Sequence, residues 1–117
     1  MVSLKAEENA RMAADIASDR LAADILLLDI RGISDFADYF LILTAESARQ
    51  MDALSRDLEF GLKRAGASLH HREGTPAGGW MLLDFGDILV HVFAPIERDY
   101  YDLEGLWSKA LQVLRIQ

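Results

Sequence analysis

Residues 78–93 read GGWMLLDFGDILVHVF. Two apolar runs flank a short polar break, and Gly86 supplies the positive φ that a two-residue turn wants. The pattern predicts a hairpin with strands from about Trp80 to Asp84 and from Asp87 to Phe93. Side chains alternate along a strand, so Trp80, Leu82 and Asp84 share one face while Met81 and Leu83 take the other. Phe85 is expected at the tip of the turn, where the chain runs over the surface and no phenyl ring is needed for the turn itself. Exposed aromatics on a rigid hairpin are typical interface anchors, and the flanking Asp84 and Asp87 suit a basic partner. The alternative is that Phe85 folds back under a helix layer and Trp80 joins the core.

Working outward from the hairpin, "DILLLDI" (24–30) and "YFLILT" (39–44) are short apolar runs that read as strands covered on both faces. The "RGISDFAD" stretch between them is a loop by its Gly, Ser and Asp content. "SARQ", Ser47 to Gln50, matches a capping box, and the stripe Met51, Leu54, Leu58, Leu62, Ala65 follows at helical spacing before Gly66. An earlier helix is expected from a Ser3 cap to about residue 19. Its thin alanine face (Ala10, Ala13, Ala14, Ala17) makes it look peripheral. "ASLHHRE" (67–73) is a weaker strand near an edge, "GTPAGG" is a loop, and Pro95 ends the second hairpin strand. In the tail, Leu103, Leu106, Trp107, Ala110, Leu111 and Leu114 fall on one stripe and predict a final helix, with Asp99 or Asp102 as its cap and Tyr100 or Tyr101 fastening it to the sheet. The order α-β-β-α-β-β-β-α implies an α/β fold of the α+β-like kind, a mixed sheet of about five strands with helices packed on it, in one domain over 1–117.

The 51% of hydrophobic residues is enough to fill a core without a disulfide or metal staple, and there is no cysteine to supply one. No thiol nucleophile or Cys-ligated metal is therefore available. The N-terminal stretch has no signal-peptide pattern and the longest apolar runs are far shorter than a membrane span, so a soluble, cytoplasmic protein is expected. Nineteen acidic against 12 basic residues leave a net charge of −7, with no Lys/Arg run beyond Lys63-Arg64. Direct nucleic-acid binding normally shows a basic patch, so a basic protein is the better-matched partner.

Catalytic and metal patterns are weak. His70 and His71 are neighbours on a strand and point to opposite faces, so they do not easily ligate one metal together, and His91 reads as a hydrogen-bonded strand histidine. The "DFG" at 84–86 is a turn, since none of the other protein-kinase segments is present. Asp29, Asp35, Asp38, Asp84 and Asp87 could supply a carboxylate pair for a metal, which leaves a small nucleotidyltransferase-like enzyme as an alternative. Most of these aspartates are expected as caps and solvated strand ends. The loop before the capped helix has no glycine and carries Glu46, whose carboxylate competes with phosphate for the helix N-terminus. No catalytic residue, cofactor or metal is expected.

The blocks "AADILLLDIRGISDFADYFLILTAESARQ", "EG", "GWMLLDFGDILVHVF" and "RDYYDLEGLW" occur in this order over about residues 5 to 110. Together they resemble the ribosomal silencing factor family (RsfS, also called Iojap). The resemblance implies a nucleotidyltransferase-like topology without that superfamily's catalytic residues. It implies binding to the large ribosomal subunit through ribosomal protein L fourteen, steric block of small-subunit joining, and repression of translation when nutrients are scarce. It also implies that the hairpin contacts the partner, with Trp80 and Phe85 as apolar anchors; the hairpin's own alternation and charge add Leu82, Asp84 and Asp87 to the expected contact residues. Truncating such an anchor is expected to cost about 2 kcal/mol of binding. A homodimer through the same apolar hairpin, competing with the partner, is a further alternative.

Overall fold

In the computed structural model, which describes residues 4–117, the hairpin forms part of a larger mixed sheet. The elements are α1 (Leu4–Asp19), β1 (Ala23–Asp29), β2 (Tyr39–Thr44), α2 (Ala48–Arg64), β3 (His71–Thr75), a 3₁₀ turn (Pro76–Gly78), β4 (Trp80–Asp84), β5 (Ile88–Phe93), α3 (Pro95–Tyr101), α4 (Leu103–Leu106) and β6 (Leu111–Ile116). The strands form one sheet in the order β3-β4-β5-β2-β1-β6. β2 and β5 run parallel, and every other neighbouring pair is antiparallel. The mixed α/β architecture agrees with the sequence, but the strand count is six rather than about five. No helix among the described residues is long and apolar enough to cross a membrane.

The continuous apolar runs of β1 and β2 are explained by two cores, one on each side of the sheet. Ile25, Leu27, Tyr39, Leu41, Leu43, Val90 and Val92 point to the side covered by α1 and α2. Leu26, Leu28, Phe40, Ile42 and Phe93 point to the other side, where Leu103 joins them. The alternation of side chains along each strand divides the two groups.

The two long helices follow from local chemistry. The Ser47 hydroxyl accepts the Gln50 amide N–H at 3.1 Å, capping α2, while the Gln50 side-chain oxygen accepts the Glu46 N–H at 2.7 Å. The reciprocal bond of the capping box is thus shifted by one residue. Met51, Leu54, Leu58 and Leu62 are buried on one stripe, and Gly66, at φ 97°, takes the left-handed conformation past the helix end. The Ser3 cap expected for α1 lies outside the described residues. Far from being peripheral, α1 packs on α2, β1 and β2. Ala10, Ala13, Ala14 and Ala17 are fully buried, because small side chains let the helix backbone approach the sheet closely.

The tail differs most from expectation. A helix over 103–114 does not form: Pro95 starts α3 at its first turn, α4 is a single turn, and Leu111–Ile116 is a strand. Of the supposed stripe, Leu103 is buried, whereas Leu106 and Leu111 are 77% and 67% exposed. β6 pairs antiparallel with β1, with an irregularity between Leu27 and Leu28. Without it, β1 would leave a row of backbone donors and acceptors unpaired at the sheet edge. Asp102 serves as the joint between α3 and α4 at φ 45° rather than as a side-chain cap, and Asp99 lies inside α3. Tyr101, as expected of one tyrosine, fastens α3 to the sheet, with its ring 4.5 Å from that of Trp80 and 6.2 Å from that of Phe93.

One buried arginine ties this tail to the sheet. Arg98 of α3 donates from Nη1 to the Asp24 carbonyl and to the Thr44 hydroxyl, both at 2.8 Å, and from Nε to the Glu104 carboxylate at 2.9 Å. Its Nη2 lies 3.5 Å from the Asp24 carboxylate, which Arg115 of β6 also reaches, at 2.7 Å. Asp24 adopts φ 45° at the irregular start of β1, a conformation held only because these contacts surround it. Removing one partner of a buried charged network leaves the others unpaired. Arg98→Met is therefore expected to lower unfolding stability by about 3 kcal/mol in urea titrations. Arg20→Ala, which breaks a solvent-exposed pair with Asp57, is expected to lower it by less than about 1 kcal/mol.

Candidate functional site: the open aromatic face of the sheet

The sheet has unequal sides. The long helices α1 and α2 cover one, whereas only the short α3 and α4 lie against the other. The strand registers align that second side in rows: Thr75, Trp80, Phe93 and Thr44; Glu73, Leu82, His91 and Ile42; His71, Asp84, Leu89 and Phe40. α4 and Trp107 cover the β1–β2 end, where Trp107 meets Phe40 at 4.9 Å. Towards β3 and β4, Trp80 and Leu82 stay half-exposed and border a depression of about 250 Å³ together with Glu73 and Gly74. β3 is the sheet edge and is exposed along its whole length. Gly74 is required within it, because at φ 85° any Cβ would run into the carbonyl of Trp80.

The aromatic rings on this face form a connected band. Phe36 meets Phe40, Phe40 meets His91 edge-on at 4.9 Å, Trp80 packs against Phe93 at 4.9 Å, and Tyr101 closes on Trp80. Tyr100, 79% exposed, stands edge-on to Tyr101 at 5.0 Å. The Trp80 indole N–H donates to Nδ1 of His91 at 3.2 Å. An indole N–H can only donate, so Nδ1 is the acceptor and the imidazole proton sits on Nε2. Nε2 is buried with no hydrogen-bond partner among the described residues. Desolvation lowers the His91 pKa from 6.5 to about 4.

Of the expected binding residues, Trp80, Leu82 and Asp84 do share this face, as the alternation predicts. Phe85 does not. It is only 5% exposed and belongs to the core beneath α1 and α2, on the opposite side of the sheet. The turn is centred one residue later than expected: the Phe85 N–H donates to the Ile88 carbonyl at 2.9 Å, leaving Gly86 (φ 88°) and Asp87 at the tip. Phe85 thus continues the inward series Met81, Leu83, a period of two already legible in the sequence. Asp87 is exposed at the tip. Tyr101 was the member of the face least legible in advance, since its place beside Trp80 depends on how α3 docks.

Two of the aspartates, Asp29 and Asp84, serve local structure. The Asp84 carboxylate accepts the Gly86 N–H at 2.7 Å, and hydrogen bonds from Arg31 hold the Asp29 carboxyl below its ordinary pKa. His71 lies 2.7 Å from the Glu73 carboxylate on the exposed edge, and no group of three or more metal-ligating His, Asp or Glu residues occurs among the described residues. A larger depression, about 400 Å³, lies between α1 and α2 and is lined by Met12, Phe60, Gly61, Arg64 and Ala65. Its Arg64 makes it the poorer match for a basic partner.

These features define a mixed-sheet α/β fold with one aromatic face left partly open. The family model described as "Ribosomal silencing factor during starvation" matches residues 3–117. A "Ribosomal silencing factor RsfS" from Bacillus subtilis is 43% identical over 100 residues, covering 86% of this chain and 85% of that protein. A crystal structure of a Chromobacterium violaceum protein superposes with a TM-score of 0.83 at 36% identity, covering 87% of this chain and 85% of that one. A more distant relative, "Mitochondrial assembly of ribosomal large subunit protein 1" of Mus musculus, is 31% identical over 92% of this chain, which spans 43% of that protein. The chain belongs to the ribosomal silencing factor family, as the sequence blocks indicate.

Two outcomes follow from this geometry. Phe85→Ala empties a core site and is expected to cost about 3 kcal/mol of folding stability, read as a lowered urea midpoint. His91 gives stability a pH dependence. Its folded pKa of about 4 lies below the unfolded value near 6.5, so the unfolded chain binds a proton that the folded protein refuses between those values. This contribution is complete above about pH 6.5 and falls by up to about 1.4 kcal/mol per unit as pH drops towards 4. Urea titrations at pH 7 and pH 5 should show a smaller loss for His91→Asn than for the wild type.

Proposed function

We propose that this chain docks on the large ribosomal subunit through a basic ribosomal protein, ribosomal protein L fourteen, and thereby blocks joining of the small subunit. Translation is then silenced when nutrients are limiting. The observation that carries the reading is the half-exposed pair Trp80 and Leu82 on a rigid sheet, with Tyr101 against the indole and Glu73 and Asp84 beside them. An apolar centre with an acidic rim is complementary to a basic protein surface, and the net charge of −7 steers encounter with it. The same charge disfavours promiscuous contact with ribosomal RNA. Family membership supports the ribosomal setting, and the printed name of the mouse relative favours the large subunit. The mechanism is occlusion: the protein acts stoichiometrically and calls on no catalytic group. Trp80, Leu82 and Asp84 carry the contact together with Tyr101, and Asp87 adds charge at the hairpin tip. Phe85 supports the hairpin from within.

Co-sedimentation with isolated large subunits tests this directly. The wild type is expected to pellet with them and to reduce the yield of joined ribosomes when small subunits are added. Leu82→Arg places a positive charge on the half-exposed face without opening the core. It is expected to weaken binding about 30-fold, equivalent to about 2 kcal/mol, while the thermal midpoint stays near that of the wild type. Wild-type protein that remains in the supernatant would end the proposal.

A further inference from the structure

His91 is a buried polar side chain ringed by apolar ones. These neighbours are Phe40, Ile42, Leu89, Phe93 and Leu82. It is 5% exposed, yet its Nε2–H is left without a hydrogen-bond partner among the described residues. A buried, half-satisfied imidazole is destabilising compared with an apolar side chain of similar volume. Its single hydrogen bond goes to Trp80, on the proposed docking surface. The ring is packed between aromatic neighbours: the edge of Phe40 meets it at 71°, and Phe93 lies nearly parallel to it, at 11° and 6.3 Å. The acceptor it offers is therefore fixed relative to the strands. Trp80, in contrast, is half-exposed, and an indole free to change rotamer would have to be ordered each time a partner bound.

Resting on the docking role proposed above, we infer that His91 is a positioning residue: its Nδ1 holds the Trp80 indole, through the indole N–H, in the orientation that the partner meets. Phe93 and Tyr101 pack against the indole ring at tilts of 31° and 47°, and these apolar contacts carry no direction of their own; the hydrogen bond selects one orientation about the Trp80 side-chain torsions. Only a neutral imidazole offers this acceptor, and its burial among aromatic rings keeps it neutral. The polar atom lost to the core is thereby exchanged for a binding surface that is ordered before the partner arrives.

The test combines three replacements in the full-length protein with two readouts, the ¹⁵N–¹H signal of the Trp80 indole, assigned by its absence in Trp80→Phe, and affinity for isolated large subunits. His91→Leu removes the acceptor. It is expected to shift the indole signal to the position of a solvent-bonded N–H and to weaken binding about fivefold to tenfold. His91→Asn, which places an oxygen near the Nδ1 position, is expected to recover both to within about twofold. In a Trp80→Phe background His91→Leu should change affinity no further, because coupled residues are non-additive. Replacing Trp80 by its benzothiophene isostere removes the N–H and keeps the ring. It should reproduce the affinity loss without altering the core, and so decides the matter if His91→Leu does not fold. Unchanged affinity after loss of the hydrogen bond, or an equal loss by His91→Leu in the Trp80→Phe background, would overturn the positioning role while leaving the docking surface standing. Failure of the wild type to bind large subunits would overturn both.

Discussion

The contacts of the Arg98 guanidinium are the constraint on which the finished fold depends. One side chain on α3 reaches the Asp24 backbone of β1, the Thr44 hydroxyl at the end of β2 and the Glu104 carboxylate of α4. Through Asp24 it is also linked to Arg115 on β6. Five elements therefore meet at one buried cation. Such a network is weak evidence of net stabilisation, because desolvating the guanidinium offsets much of the attraction. What it supplies is specificity of arrangement. Arg98 has hydrogen-bonding partners only when α3 turns back over the ends of β1 and β2, so the tail has one low-energy path instead of many. The planar guanidinium, with donors in fixed directions, suits such a junction where a lysine ammonium would not.

That path determines which part of the sheet stays open. Because Pro95 starts α3 immediately after β5, the tail crosses the β1–β2 end, where Trp107 and Leu103 seal the apolar surface. The chain then enters β6 at the edge of β1, at the opposite end of the sheet from β3 and β4, having touched β4 through Tyr101 on Trp80. Trp80 and Leu82 are left half-covered, although their sheet neighbours His91 and Phe93 are buried. Half-covered aromatics on a rigid sheet combine a large apolar contact area with little conformational freedom to lose, and both properties favour a docking surface. The core and the proposed docking surface therefore fall on opposite sides of the sheet. The helix-covered side holds the alanine face of α1, the leucine stripe of α2 and Phe85, while the other side holds the aromatic band.

Much of this is legible in the sequence. The capped helix α2, the doubly covered strands β1 and β2, the edge position of β3 and the shared face of Trp80, Leu82 and Asp84 all follow from local signals. These are cap residues, periods of 3.6 or 2, and turn glycines. Phe85 departs from its expected place at the tip, although its signal is present in the sequence. The series 81, 83, 85 points it inward, and the Phe85–Ile88 hydrogen bond centres the turn on Gly86 and Asp87. The thin alanine face of α1 suggests a peripheral helix, because side-chain area alone does not reveal how closely a helix can approach a sheet.

By itself, then, the sequence determined the identity of most elements, the assignment of strand residues to two faces and the family, because each depends on residues close together in the chain or on blocks recognisable as they stand. Only the tertiary structure decided the fate of Leu111–Ile116, the junction at Arg98 and the pairing of Trp80 with His91 and Tyr101. The run from Leu103 to Leu114 satisfies a helical stripe as well as a terminal strand, and local propensity does not separate the two. The free edge of β1, more than 80 residues away in the chain, settles the choice by offering backbone partners. Arg98 and His91 are polar residues whose burial makes sense only beside partners brought in from distant segments, 74 residues away for the Arg98–Asp24 bond and 11 for Trp80–His91.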